Sequence, residues 1–133
     1  MKYLIITSLM FFSSLAFADI SWTTYSDKAL MQAKKDGKQV VLGFHKRGCG
    51  TCAAQDAELA AKGINDAKNT VFLIVQRKNS DHQSVYQKYG FNQRQWAAII
   101  LLDPMGKEVA RVAPGTTSGS SLDKLVMKAN KGA

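Results

Sequence analysis

The chain has 133 residues, 46% of them hydrophobic, with two cysteines and a formal net charge of +8. Such a length suits one domain, not two, and supplies enough apolar side chains for a core that needs no stapling. A basic balance can attract nucleic acid, an anionic membrane or an acidic protein, but the lysines are scattered and form no stripe with aromatics. The expectation is therefore a solvated surface without nucleic-acid binding.

Residues 1–18 combine Lys2, an apolar run from Tyr3 to Phe12 and the small-x-small ending Ala16, Phe17, Ala18. This pattern predicts a secretory signal cleaved before Asp19. A membrane anchor would need about 20 continuous apolar residues, and Ser13 and Ser14 interrupt the run too early. No cysteine stands at the new N-terminus, which speaks against lipid attachment. Residues 19–133 carry no repeat, low-complexity tract or dividing linker, and are read as one domain.

In chain order, Ser26 is placed to cap a first helix carrying Ala29, Leu30 and Ala33 and stopping at Gly37. Lys38 to Phe44 is a short apolar run of the kind that fills a buried strand. An alanine-rich helix is expected from Cys49 to about Lys62, ended by Gly63. Asn69 to Gln76 reads as the second strand. Ser80 is expected to cap a helix with Val85, Tyr86 and Tyr89, closed by Gly90. Ala97 to Asp103 is the third strand, and the turn Asp-Pro-Met-Gly at 103–106 returns the chain as a fourth from Lys107 to Ala113. A last helix starts at Ser120 or Ser121 with Leu122, Leu125 and Val126 on one face. The first two strands should be parallel and the last two antiparallel, giving an α/β fold with a central four-stranded mixed sheet flanked by helices.

Both cysteines fall in "HKRGCGTCAAQDAEL", His45 to Leu59. A disulfide between Cys49 and Cys52 closes almost no loop, so structural stapling is a poor explanation. At a strand-to-helix junction the two thiols can alternate between dithiol and disulfide with little backbone movement. The first sulfur meets unpaired N–H groups and the positive helix end, which favour thiolate, and Lys46 and Arg47 should push the same way. Cys49 is then the attacking nucleophile, and Cys52, one turn inward, the resolving thiol. For Lys46 and Arg47 a merely solvated loop is the plain alternative.

With this motif, the strand order and the "DPMG" hairpin, the chain resembles thioredoxin-fold proteins over nearly all of residues 19–133. "ISWTTYSDKALMQAKKDGKQVVLGF" is similar to the opening of a secreted thioredoxin-like group that includes the C-terminal domain of the bacterial transmembrane disulfide reductant. The resemblance implies a periplasmic, monomeric thiol–disulfide oxidoreductase without a bound cofactor, acting on protein disulfides or dithiols. It also implies a reducing direction, with a membrane-embedded electron donor.

Three departures from that pattern stand out. Gly48 occupies the place of the tryptophan that usually precedes the first cysteine. Gly43 occupies the place of thioredoxin's buried acid, so a proton leaving Cys52 must use water, His45 or another group; His45 reads equally well as a surface residue. Ala97, preceded by Trp96, occupies the place of the cis-proline that faces the dithiol. A cis bond there would cost about 2.5–4 kcal/mol against about 0.5–1 before proline, which predicts a trans or rearranged loop. In the family this loop offers backbone to an extended partner, so Trp96 and Ala97 are expected at the partner-docking edge, although a tryptophan there can equally be simple core.

Loss of the proline also leaves a rival, a dithiol open to copper(I) or zinc, with His45 and His82 as the remaining donors. A third reading is a redox-inactive binding module with a vestigial dithiol.

Overall fold

The computed structural model describes residues 20–76, 80–92 and 94–132. The expected leader, residues 1–18, lies outside the described residues. The elements are β1 (Thr23–Thr24), α1 (Asp27–Lys35), β2 (Gln39–His45), α2 (Gly50–Ala61), β3 (Thr70–Gln76), α3 (Gln83–Lys88), β4 (Ala98–Leu102), β5 (Glu108–Val112) and α4 (Ser120–Lys131).

One five-stranded sheet carries the fold in the order β1-β3-β2-β4-β5. β2 runs parallel to β3, and β4 runs antiparallel to β2 and β5. The four strands expected from sequence form this mixed sheet, and two-residue β1 adds a short parallel edge to β3. Two threonines bring no apolar run, so β1 carried no sequence signal; it forms because Thr23 and Thr24 lie beside Leu73 and Ile74.

Every residue of β2 and β4 is buried. Helices cover both faces, which is why these strands read as continuous apolar runs without alternation. On one face Val40, Leu42 and Phe44 of β2 join Ala33 of α1, Tyr86 of α3 and Ile100 of β4. On the other, Val41 packs with Leu59 of α2, Ile99 and Leu101 of β4, and Leu122 and Leu125 of α4. Each such side chain contributes about 1.5–3 kcal/mol when fully buried, so the sheet is the rigid body on which the loops at its edge are mounted.

Local signals act where expected at most helix ends. Ser26 Oγ accepts the Ala29 N–H at 3.0 Å, and Gly63, at φ +92, follows Lys62, the C-cap of α2. The third helix departs from expectation: Ser80 opens a 3-10 turn, Ser80–His82, and α3 begins only at Gln83 with His82 at its N-cap. His82 is buried and bridges instead of capping. Its Nδ1 accepts the Gln76 N–H at 2.9 Å, and its Nε2 lies 3.0 Å from the Tyr25 carbonyl.

Candidate active site

β2 ends at His45, and Lys46, Arg47 and Gly48 carry the chain into α2. Gly48 has φ +71, a conformation that a side chain would strain, and this turn delivers Cys49 to the helix N-cap. The Cys49 sulfur accepts the Cys52 N–H at 3.0 Å, and the Cys49 carbonyl accepts the Ala53 N–H. Cys49 and Cys52 are joined by a disulfide with their Cα atoms 5.2 Å apart. Cys49 is half-buried, whereas Cys52 is only 3% exposed. The first turn of α2 holds no acidic residue, so nothing there opposes a negative sulfur.

Lys46 lies over the Trp96 ring, its Nζ 3.9 Å from the centroid. Two residues that the sequence assigned separately, one to sulfur and one to docking, thus meet each other. Arg47 is exposed on the loop before the helix. Through this contact the loop carrying Trp96 meets the turn before Cys49, and it leads straight into β4.

Ala97 follows through a trans peptide and sits at φ +58. A left-handed residue with a side chain costs roughly 1–2 kcal/mol. Three hydrogen bonds offset that cost. The Ala97 N–H donates to the Phe44 carbonyl at 2.7 Å, and the Ala97 carbonyl accepts from the Gly115 N–H at 3.0 Å and from Gln55 Nε2 at 2.8 Å. Gln55 Nε2 also donates to the Thr116 carbonyl at 2.7 Å. Because the fully buried amide faces two carbonyls, only its NH2 end fits there. The polar backbone of Ala97 is therefore used within the protein.

The sheet face behind Cys52 is built differently. A Cβ on Gly43 would lie 2.6 Å from the Trp22 ring, so no side chain, acidic or otherwise, fits at this strand position. Trp22 fills the space and donates from Nε1 to Asp56 Oδ2 at 3.0 Å. His45 packs edge-on against Trp22 with ring centroids 5.2 Å apart, and its Nε2 lies 3.5 Å from Asp56 Oδ1. The surface alternative for His45 is thereby corrected: as the last residue of the central strand it is 7% exposed and covered by Trp22. Trp22 and Asp56 also line an open cavity of about 520 Å³ along α2, with Ala53, Ala57, Ala60 and Ala61 in its wall.

Sequence reading missed Gln55, Asp56 and the role of Trp22. A spacing signal existed for the first two, since positions three and four beyond Cys52 share its helix face. Nothing local marks Trp22, whose side-chain partners Gly43, His45, Asp56 and Phe72 are 21 to 50 residues away. His82 lies apart from this cluster, holding Gln76 and Tyr25. Among the described residues no group of three or more His, Cys, Asp or Glu side chains is arranged to hold a metal.

A family model described as thioredoxin-like matches residues 21–104. No curated protein sequence matches the chain. Among solved structures, Trxlp from Edwardsiella tarda is similar at 26% identity and TM-score 0.63, over 80% of this chain and 98% of its own. Thioredoxin O2 from Arabidopsis thaliana, in its oxidized state, aligns at 14% identity and TM-score 0.60, over 84% of this chain and 93% of its own. The DsbH oxidoreductase aligns at 22% identity and TM-score 0.56, over 86% of each chain. At these lower identities the last two bear on the fold alone.

Proposed function

The chain belongs to the thioredoxin-like family, and from that membership and the site geometry we propose that it works as a periplasmic thiol–disulfide oxidoreductase that reduces protein disulfides. The observation that carries the reading is the asymmetric pair on α2: a Cys49 sulfur at the N-cap receiving a backbone N–H, joined to a buried Cys52.

In the reduced protein, the Cys49 thiolate attacks one sulfur of a partner disulfide. A mixed disulfide forms and the partner's other sulfur leaves as thiolate. Cys52, deprotonated, then attacks Cys49, restoring the Cys49–Cys52 bond and releasing the second partner thiolate. Two electrons pass to the partner, and no bound cofactor is required. Helix-end N–H groups favour the negative sulfur, with Lys46 and Arg47 adding positive charge to the same loop.

Partner docking falls to the neighbouring loop. Since the N–H and carbonyl of Ala97 are bonded internally, an extended partner would meet this loop at Trp96, whose ring is already covered on one side by Lys46. The reducing direction and a membrane-embedded electron donor follow from the family resemblance of the opening segment. Export follows from the Lys2-to-Ala18 pattern, and N-terminal sequencing of the periplasmic protein should start at Asp19. The working unit is a monomer without nucleic acid.

The decisive experiment is redox titration in glutathione buffers combined with trapping. A reversible two-electron couple near about −250 mV supports a reductant, and one near about −130 mV an oxidant. Cys52→Ala should hold a mixed disulfide through Cys49; absence of both the couple and the trapped species would overturn the reading.

A further inference from the structure

Among the described residues, three buried side-chain atoms lack a hydrogen-bond partner: His45 Nε2, Gln55 Oε1 and Asp56 Oδ1. Buried polar groups are nearly always paired, so three exceptions in one place call for a physical reason. Their places are not scattered. Gln55 and Asp56 follow Cys52 by three and four residues on the same helix, and His45 ends the strand against which that helix packs. All three atoms can accept a hydrogen bond. In the disulfide the Cys52 sulfur carries no proton, whereas in the dithiol it becomes an S–H donor.

The three are not equivalent as proton acceptors. An amide oxygen accepts a hydrogen bond but does not take up a proton near neutral pH, which leaves Asp56 and His45. The Trp22 N–H fixes Oδ2 of Asp56 and turns Oδ1 toward His45. At 3.5 Å the two atoms are close enough to share a charge yet make no hydrogen bond in this oxidised form. The strand position behind Cys52 is closed to any acid because Trp22 covers Gly43.

Resting on the exchange chemistry proposed above, we infer that the Asp56–His45 pair takes the proton from Cys52 in the resolving step, with Trp22 as the residue that positions Asp56. The balance is simple. The Cys52 S–H bond breaks and its proton moves to the pair. The Cys52 sulfur attacks Cys49, forming the internal disulfide, and the partner's sulfur departs with the electron pair. The proton then leaves through the open cavity that Asp56 lines together with Trp22 and Ala53. Of the other charged groups, Glu58 shares this cavity with Asp56, whereas Lys46 is stacked on Trp96, Arg47 is exposed, and Lys62 pairs with Asp123.

The test follows oxidation of the reduced protein by excess glutathione disulfide from pH 5 to pH 9, with acid-quenched samples resolved by mass. Mixed and internal disulfides are thereby counted separately. Asp56→Asn retains an oxygen for the Trp22 N–H, and His45→Gln probes the other half of the pair. Both variants should form the Cys49 adduct at the wild-type rate but resolve about 100-fold more slowly near pH 6. Their resolving rate should then climb about tenfold per pH unit toward the ordinary thiol range near pH 8.5. Resolution by either folded variant at the wild-type rate across this range overturns the inference. If Asp56→Asn does not fold, His45→Gln decides alone by the same criterion. Failure of the wild-type protein to form either disulfide would instead overturn the exchange reading itself.

Discussion

The two ends of β4 are held by opposite kinds of interaction. At its exit, Asp103 Oδ1 accepts the N–H groups of Met105 and Lys107, both at 2.9 Å, and Gly106 adopts φ +85. Every partner there lies within four residues. At its entrance, Ala97 takes the same left-handed backbone without being glycine, and is held by Phe44, Gln55 and Gly115 from three distant segments. The hairpin end is self-sufficient, whereas the dithiol end is maintained by the rest of the fold. Strain is tolerated where surrounding structure over-determines the backbone, and here that structure includes Gln55, three residues after Cys52 on α2.

The largest effect is expected from forcing the family's residue onto this loop. Ala97→Pro cannot reach φ +58 and removes the N–H bonded to Phe44, so urea denaturation should show a loss of about 3 kcal/mol or more. Wild-type stability would mean that the loop can rearrange at little cost and that the comparison is wrong. Gln55→Leu should rank next. It removes a donor from two carbonyls, at a cost of about 1–3 kcal/mol for a buried group left unpaired. Asp103→Ala sharpens the contrast from the hairpin end, where water can replace the lost acceptor and about 1 kcal/mol is expected. Lys46→Ala should cost only about 0.5–1 kcal/mol, read together with a change in Trp96 fluorescence and slower alkylation of Cys49.

The smallest effect concerns pH. Tyr25, beside the dithiol end of β3, has its pKa pushed well above the ordinary tyrosine value, first by burial and then by its hydrogen bond to Asp27. A raised folded-state value means that the unfolded chain ionises first. The stabilisation is therefore complete below about pH 10 and is lost as the pH rises through the folded value. Stability measured from pH 8 to pH 11 should fall more steeply in the wild type than in Tyr25→Phe. Equal slopes would remove Tyr25 as the cause.

The same contrast explains what the sequence disclosed. Ser26, Gly63 and the Asp103–Gly106 turn act through neighbours in the chain, so their residue types announced them. The apolar runs of β2, β3 and β4 announced a covered sheet, and the Cys49–Cys52 spacing announced the disulfide. Gln55 and Asp56 gave only their spacing from Cys52, and Trp22 gave nothing local, because each matters through a partner brought close only by folding. His45 shows the limit most clearly. A histidine after an apolar strand is equally compatible with surface and interior until Trp22, far earlier in the chain, is seen to cover it. Ser80 shows the reverse error, where a good capping residue type is overridden by His82 bonding across to Gln76 and Tyr25.

The packing of Trp22 on Gly43 also constrains the routes by which such a protein can change. Replacing Gly43 with aspartate first would drive a side chain into the indole, and removing Trp22 first would uncover His45 and leave Asp56 Oδ2 without its N–H donor. Neither order has a comfortable intermediate. An acid on the strand and an indole on the glycine are thus mutually exclusive packings of the same space. A change at any one of residues 22, 43 and 56 is therefore felt at the other two.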